Sequence, residues 1–295
     1  MKMIAKVLVA LAAVTGSAQA HDAGVDCDNC AKWNSPVKPF NVYGNTWYVG
    51  VGGLSSVLVT GPEGHILLDG GLPQSAPLIE ANIKALGFKM KDVKLILNSH
   101  AHWDHAGGIA ALQQASGAVV AASASGALGL QSGTNGADDP QFQANPVVHV
   151  VPVAKVNIVH EGEVLKVGST SVTAHMTPGH TPGGTTWTWT SCEGKRCLDV
   201  VYADSLNPYA SGDFKFSGQG KSPDISASFA ASIAKVAALK CDIIISVHPD
   251  STDVMEKAAE RTPVNNPFID AKGCRTYAAD ASDKLVKQLA KERAN

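Results

Sequence analysis

Residues 98–108 read NSHAHWDHAGG and place three of the ten histidines of the chain beside an aspartate within six positions. Residues i and i+2 of an extended segment point the same way, so His100 and His102 can converge on one metal ion. If the chain turns after them, Asp104 and His105 can point toward a second ion. Taken alone, the stretch also fits a polar loop or a histidine-rich start of a helix.

Two later histidines supply the ligands that such a site would still lack. His180 lies in TPGHTPGG just after the strand-like run SVTAHM, and His248 follows the apolar run DIIISV. A catalytic zinc ion usually takes three protein ligands and leaves a position open for water. We therefore expect one ion on His100, His102 and His180, and a second on Asp104, His105 and His248. Nitrogen and oxygen ligands alone would also suit iron or manganese.

The other five histidines lack such flanks, and we interpret them as structural or exposed: His21, His65, His149, His160 and His175.

The first half of the chain predicts a meander followed by alternating strands and helices. NTWYVG, SSVLVT and HILLDGG are short apolar or alternating runs, and the turn GPEG separates the last two. Ser75 is expected to cap a helix over APLIEANIKALGF, ended by Gly87. VKLILN predicts a buried strand, and a helix is expected from about Gly108 through IAALQQASG.

The second half begins with residues 129–146, whose Gly, Asn, Asp and Pro content predicts a long loop. Strands are expected over VVHVV, VNIVH, EVLKVG, SVTAHMTP, TTWTWT, DVVYAD and DIIISV, and helices over ISASFAASIAKVAALK and DASDKLVKQLAKERA. Strands followed by helices, twice over, indicate an α/β protein with two sheets and the helices outside.

Composition limits the classes of protein. Lys2 and Lys6, the run VLVALAAV and the small residues Ala18 and Ala20 predict a signal peptide over residues 1–20, cleaved after Ala20 to release an exported, periplasmic protein. The run is too short for a membrane anchor.

Without residues 1–20, the charge balance is 22 Lys plus Arg against 26 Asp plus Glu, and no basic stripe predicts nucleic-acid binding. We expect one domain over residues 21–295, and a monomer, because no apolar stripe is left for an interface.

Six cysteines in an exported chain favour disulfides. Of fifteen possible pairings, spacing favours Cys27 with Cys30, Cys192 with Cys197, and Cys241 with Cys274. The first pair, a C-x-x-C, could also be a redox or metal motif.

HAHWDH, GHTPGG, LLDGG and YADS together resemble the metallo-β-lactamase superfamily, and most closely its third lactamase subclass, which has His where other subclasses have a Cys ligand. The resemblance covers most of the chain after residue 20. It implies an αββα sandwich of two mixed sheets with helices on the outer faces, and two Zn²⁺ ions on the six ligands given above.

The same resemblance assigns further roles. It implies that a metal-held hydroxide attacks a β-lactam carbonyl, with Asp104 as the catalytic carboxylate that orients it. Ser205 and Asn207 in YADSLN are expected to bind the substrate carboxylate, since no Lys stands beside Ser205. In many other hydrolases of the superfamily, the acid at the position of Asp204 bridges the metals. A plain strand-end hydroxyl is the alternative for Ser205.

Three more residues are expected near the mouth of the site: Gln141 and Phe142 in the long loop, with Gln141 as a substrate-binding residue, and Trp103 between the ligands; ordinary surface packing is the alternative for each. Asp69 in LLDGG is expected to order the metal-bearing loops, unless it merely forms a turn.

The sequence thus predicts an exported di-zinc β-lactamase acting on penicillins, cephalosporins and carbapenems, without a nucleic-acid or membrane partner. Two alternatives stay open. A lactonase or thioester hydrolase of the same superfamily would keep all six ligands. A non-catalytic zinc protein would be expected to close the coordination spheres.

Overall fold

A seven-stranded sheet positions the first four expected metal ligands. In the computed structural model, which describes residues 24–142, 148–220 and 222–294, its strands follow one another in chain order. They are β1 Phe40–Tyr43, β2 Thr46–Tyr48, β3 Val57–Val59, β4 His65–Leu68, β5 Val93–Leu97, β6 Val119–Ala122 and β7 Val156–Ile158. Strands β1 to β4 form the expected antiparallel meander, and β4 to β7 run parallel.

A second sheet of five strands lies behind the first. Its strands are β8 Val164–Val167, β9 Thr170–Met176, β10 Thr185–Glu193, β11 Arg196–Ala203 and β12 Ile243–Ser246, in the order β12-β11-β10-β9-β8. Strands β8 to β11 are antiparallel neighbours, and β12 lies parallel to β11. Both sheets are therefore mixed, as expected.

Helices cover the outer face of each sheet. They are α1 Cys30–Trp33, α2 Ala76–Ala85, α3 Trp103–Ala106, α4 Ile109–Ser116, α5 Ala124–Ser132, α6 Ser226–Ala238, α7 Val254–Glu260 and α8 Gly273–Ala294. Apolar side chains of α2, α4 and α5 pack on the first sheet, and α8 packs on α6 and on the β11–β12 edge of the second. The largest apolar cluster lies between the sheets and includes Tyr48, Leu68, Trp187 and Tyr202. The layer order is thus helix, sheet, sheet, helix, and the predicted αββα sandwich is confirmed.

Four local expectations were wrong. Ser75 precedes α2, but its hydroxyl accepts a hydrogen bond from the Leu72 amide and donates one to Asn34 instead of capping the helix. Gly129–Ser132, expected in a loop, ends helix α5, which Ser123 begins by accepting a hydrogen bond from the Gly126 amide. Residues 148–151 form no strand. Helix α8 begins at Gly273, well before the amphipathic stretch from Asp280, because Cys274 and Ala278 extend its buried face by two turns.

The two glycines that end NSHAHWDHAGG serve close packing. Both have right-handed backbone angles, with φ of −58° at Gly107 and −84° at Gly108. A Cβ on Gly108 would lie 2.3 Å from the Gly70 carbonyl oxygen. The Gly108 amide donates to the Gly71 carbonyl, and the Gly70 amide donates to the His105 carbonyl. These contacts with the LLDGG loop fix α3 against the end of β4.

The three favoured disulfides are present: Cys27–Cys30, Cys192–Cys197 and Cys241–Cys274. The second joins directly paired residues of β10 and β11. The third joins the start of β12 to the first turn of α8. The signal segment, residues 1–20, lies outside the described residues. None of the described helices has the length and apolar character needed to cross a membrane.

Candidate metal centre

Four segments bring the six expected ligands to one edge of the sandwich. His100 and His102 follow the end of β5, Asp104 and His105 lie in α3, His180 follows β9, and His248 follows β12. Strands β4, β5 and β6 are parallel, so their carboxyl ends lie together at this edge of the first sheet. At the same edge the Thr185 amide of the second sheet donates a hydrogen bond to the Ser99 carbonyl. The fold therefore explains why ligands so far apart in sequence come together.

The first expected group is compact. One ligand atom each of His100, His102 and His180 lies within 4.8 Å of the others, and all three residues are buried. Their rings pack edge to face, with centroids 4.7 to 5.0 Å apart. The structure thus brings this predicted trio together.

In the second expected group, Asp104, His105 and His248, the ligand atoms lie close together. Asp104 Oδ2 lies 3.3 Å from His105 Nε2 and 3.5 Å from His248 Nε2, and these two nitrogens are 3.2 Å apart. Ligand atoms of a tetrahedral site with bonds of 2.0–2.1 Å lie about 3.3–3.4 Å apart. The three donors therefore match the separation that one zinc ion requires. His100 also lies within 4.8 Å of the Asp104 and His105 ligand atoms, so the two groups adjoin.

Buried nitrogen atoms without partners indicate where a cation would fit. His100 Nε2 is buried and has no hydrogen-bond partner among the described residues. Nε2 of His105 and Nε2 of His248 face each other, although two ring nitrogens so close need a proton or a cation to bind them. The donor set therefore fits metal ions of the zinc type.

In four of the histidine rings, the nitrogen that points away from the ligand cluster contacts another residue. His100 Nδ1 lies 2.7 Å from Asp204 Oδ1, His180 Nδ1 2.8 Å from the Asn207 carbonyl and His248 Nδ1 3.3 Å from the Gly53 carbonyl. His102 is reversed, since its Nε2 lies 3.1 Å from both carboxylate oxygens of Asp139. Such contacts fix ring orientation and tautomer, leaving Nδ1 of His102 and Nε2 of the other three toward the centre.

Asp139 was missed by the sequence analysis, and Asp204 was noted only as a metal-bridging acid of other hydrolases. The structure places Asp204 behind His100. The acidic residue of the YADS motif was the available signal for Asp204. Asp139 stands in a loop with no pattern that links it to a histidine 37 positions away.

Burial keeps His100 and His180 in the neutral form that metal binding needs, and the neighbouring His105 keeps Asp104 ionised. Burial and the neighbouring His105 hold the pKa of His100 well below its usual range, and burial lowers the pKa of His180 to about 3. Burial by itself would raise the pKa of Asp104, but the charge of His105 and its hydrogen bond hold that pKa well below the usual range. Neutral imidazoles beside an ionised carboxylate are the forms that bind metal.

Asp69 lies directly beneath the ligand loop. Its carboxylate accepts hydrogen bonds from the Asn98 side chain, from the amide and the hydroxyl of Ser99, and from the Tyr202 hydroxyl, at 2.6 to 3.0 Å. Its φ of 58° is unusual for a residue other than glycine. Burial raises its pKa, and these hydrogen bonds oppose that effect. These contacts are those that the expected ordering role requires.

A cavity of about 710 Å³ opens beside the ligands. His180, Ser205, Asn207 and His248 contribute to its wall, and Trp33 closes one side with its ring centroid 5.4 Å from that of His248. No sequence pattern predicted a role for Trp33. The cavity has the size of a small-molecule site.

The other residues expected at the mouth lie around the same centre. Gln141 Nε2 lies 3.4 Å from His180 Nε2, and Phe142 next to it is 42% exposed. Trp103 packs on Trp33, with ring centroids 6.1 Å apart.

Comparisons with known proteins point to a single family. The model of the metallo-beta-lactamase superfamily matches residues 49–192. The chain is 50% identical to MEM-A1, a subclass B3 metallo-beta-lactamase isolated from a soil metagenome library, over 89% of this chain and 99% of that one, with a TM-score of 0.85. It is also 50% identical to the Rm3 metallo-beta-lactamase, over 91% and 100% of the two chains, with a TM-score of 0.87. Identity to the metallo-beta-lactamase SMB-1, crystallised with 2-mercaptoethanesulfonate, is 45% over 88% and 99%, with a TM-score of 0.82.

Proposed function

The chain belongs to the metallo-beta-lactamase superfamily and is similar to subclass B3 enzymes, and from this we propose that it is a di-zinc β-lactamase of penicillins, cephalosporins and carbapenems. Hydrolysis of the β-lactam amide bond at a metal site follows from the family and from the buried His/Asp groups. One observation carries the finer proposal of two zinc ions, namely two adjoining sets of donors, one of which has the spacing of a single tetrahedral shell.

When bound, such ions polarise a carbonyl and lower the pKa of a coordinated water to about 7. His100, His102 and His180 would hold one ion, and Asp104, His105 and His248 the other. The ionised Asp104 carboxylate faces the space between both groups and would orient the attacking water. In the reaction a bond forms from the water oxygen to the carbonyl carbon, the C–N bond breaks, and water delivers a proton to the nitrogen.

Substrate binding is proposed for the polar groups of the adjoining cavity. Ser205 is only 5% exposed, and what is exposed faces this cavity. The Ser205 hydroxyl and the Asn207 amide would receive the substrate carboxylate, and the Gln141 amide would contact substrate from the opposite loop. Trp33 and Phe142 would supply apolar contacts for the substituents on the ring.

We also propose that residues 1–20 direct export to the periplasm, that residues 21–295 form the one metallo-β-lactamase domain, and that the enzyme is a monomer. Mass spectrometry of the protein purified from a periplasmic fraction would show a chain beginning at His21 if cleavage follows Ala20.

A chromogenic cephalosporin tests the function. The purified protein is expected to turn it over, to lose this activity with a zinc chelator and to regain it with added zinc. A simple lactone and a glutathione thioester, assayed at the same enzyme concentration, should be far poorer substrates. No cephalosporin turnover at micromolar enzyme would contradict a lactamase, and turnover that a chelator leaves unchanged would contradict metal catalysis.

A further inference from the structure

The backbone around Ser205 is held from both sides by one side chain. The Tyr277 hydroxyl donates a hydrogen bond to the Asp204 carbonyl at 2.8 Å and accepts one from the Leu206 amide at 3.2 Å. These are the peptide groups that flank Ser205. The segment lies beyond the end of β11, where no ladder hydrogen bonds would hold it.

Helix α8 gives Tyr277 a rigid support. Cys274, one turn earlier, is buried and bonded to Cys241 at the start of β12. The next buried positions, Ala278 and Ala281, pack on α6. The ring of Tyr277 contacts both apolar clusters that α8 helps to form, so its hydroxyl has little freedom to move.

The same segment connects to the metal centre. The side chain of Asp204 contacts His100, and the Asn207 carbonyl contacts His180. Ser205 lies between these two anchor points, with its side chain toward the cavity. A hydroxyl that fixes the peptide groups on either side of Ser205 therefore also fixes where the serine hydroxyl points.

We propose that Tyr277 is a positioning residue for substrate binding, which holds the Asp204–Leu206 backbone so that the Ser205 hydroxyl meets the substrate carboxylate. The part that concerns substrate rests on the proposed function. If Tyr277 only anchored α8, its hydroxyl would affect stability and leave substrate affinity unchanged.

Tyr277→Phe keeps the ring and removes both hydrogen bonds. Tyr43→Phe is a matched control, since the buried Tyr43 hydroxyl also donates to a backbone carbonyl, that of Arg196, on β11 at the far end from the metal centre. Tyr277→Phe loses two hydrogen bonds where Tyr43→Phe loses one, so a somewhat larger loss of stability is expected for Tyr277→Phe. Their melting temperatures and zinc contents are measured first, so that a folding defect is recognised.

Hydrogen exchange tests the positioning without relying on activity. In Tyr277→Phe the Leu206 amide should exchange about fivefold faster, the factor expected for the loss of one net hydrogen bond, whereas Tyr43→Phe leaves it unchanged. An unchanged Leu206 amide in Tyr277→Phe would overturn the proposal even if the protein proved to have no lactamase activity.

Kinetics test the consequence for substrate. Tyr277→Phe should raise the KM for a cephalosporin about three- to tenfold, with a much smaller effect on kcat and full zinc content. Because Tyr277 acts through Ser205, the double variant Tyr277→Phe/Ser205→Ala should have the KM of Ser205→Ala alone. A wild-type KM in Tyr277→Phe, or effects that multiply in the double variant, would overturn it. Absence of turnover in the wild type would instead refute the proposed function.

Discussion

Four of the five histidines expected to bind metal owe their orientation to a partner on the opposite ring nitrogen, and only His105 has none among the described residues. Asp204 holds His100, Asp139 holds His102, and backbone carbonyls hold His180 and His248. Mutation of such partners typically lowers metal affinity 10- to 100-fold. The partners therefore belong to the site as much as the ligands do.

Asp139→Asn tests this dependence. We expect zinc affinity to fall by about 10- to 100-fold, because the amide no longer accepts from His102 with a full charge. Competition with a chromophoric chelator measures the change. The neighbouring Asp138, which is exposed, provides the control, and equal zinc affinity of Asp138→Asn and Asp139→Asn would contradict the assigned role.

Some residues of the site could be predicted from the sequence and others could not. The i, i+2 spacing of His100 and His102 predicts a shared direction, and the position of His180 and His248 after strands predicts the shared edge. No local pattern links Asp139 to His102, because that contact depends on how the loop after α5 folds back over the ligands. Tyr277 was not predicted for a similar reason, since its hydrogen-bond partners are backbone atoms 71 and 73 positions away.

Among the secondary-structure elements, continuous apolar character predicted the buried strands β5 and β12, whereas β6, also buried, was not predicted. Residues 148–151 were wrongly expected to form a strand, because β-branched composition carries no information on whether a partner edge is available. Helix α5 was missed because its glycines hide the helical period. Gly126 and Gly129 allow neighbouring segments to pack closely against α5. A Cβ on Gly129, for example, would lie 2.5 Å from the Ala101 Cβ.

The disulfides are predicted to differ in their contribution to stability. Cys241–Cys274 spans 33 positions and Cys192–Cys197 spans five. Loop entropy gives about 4 kcal/mol for the first and about 2 kcal/mol for the second. Replacement of each pair by alanines should therefore lower the free energy of unfolding about twice as much for the first pair, as measured by denaturant titration of the metal-free proteins. Equal losses would show that loop entropy does not control these cross-links.

In the whole molecule, the layers bring several histidines into one largely buried cluster. Burial lowers the pKa of His100, His180 and His248, whereas the Asp104 carboxylate overcomes burial and raises that of His105. In the absence of metal, three of these four rings therefore resist protonation in the folded state.

This predicts that the metal-free protein loses stability in acid. Above about pH 6.5 these three rings are neutral in both states, and stability is independent of their titration. Below it the unfolded chain binds protons that folded His180, with a pKa of about 3, does not bind, so the free energy of unfolding decreases as the pH falls from 6.5 toward 3. The urea midpoint of the chelated protein minus that of its His180→Gln variant measures the slope that His180 contributes. A difference that increases on acidification across this range would contradict the predicted sign.

The central claim is that the six gathered ligands form a two-zinc centre that opens a β-lactam ring. Its most direct test is to titrate the chelated protein with zinc while measuring bound metal and cephalosporin hydrolysis on the same samples. We expect two zinc ions to bind per chain, hydrolysis to reach its plateau once both are bound, and Asp104→Ala to lose one ion and nearly all activity. A protein that binds two zinc ions and leaves the cephalosporin intact would contradict it.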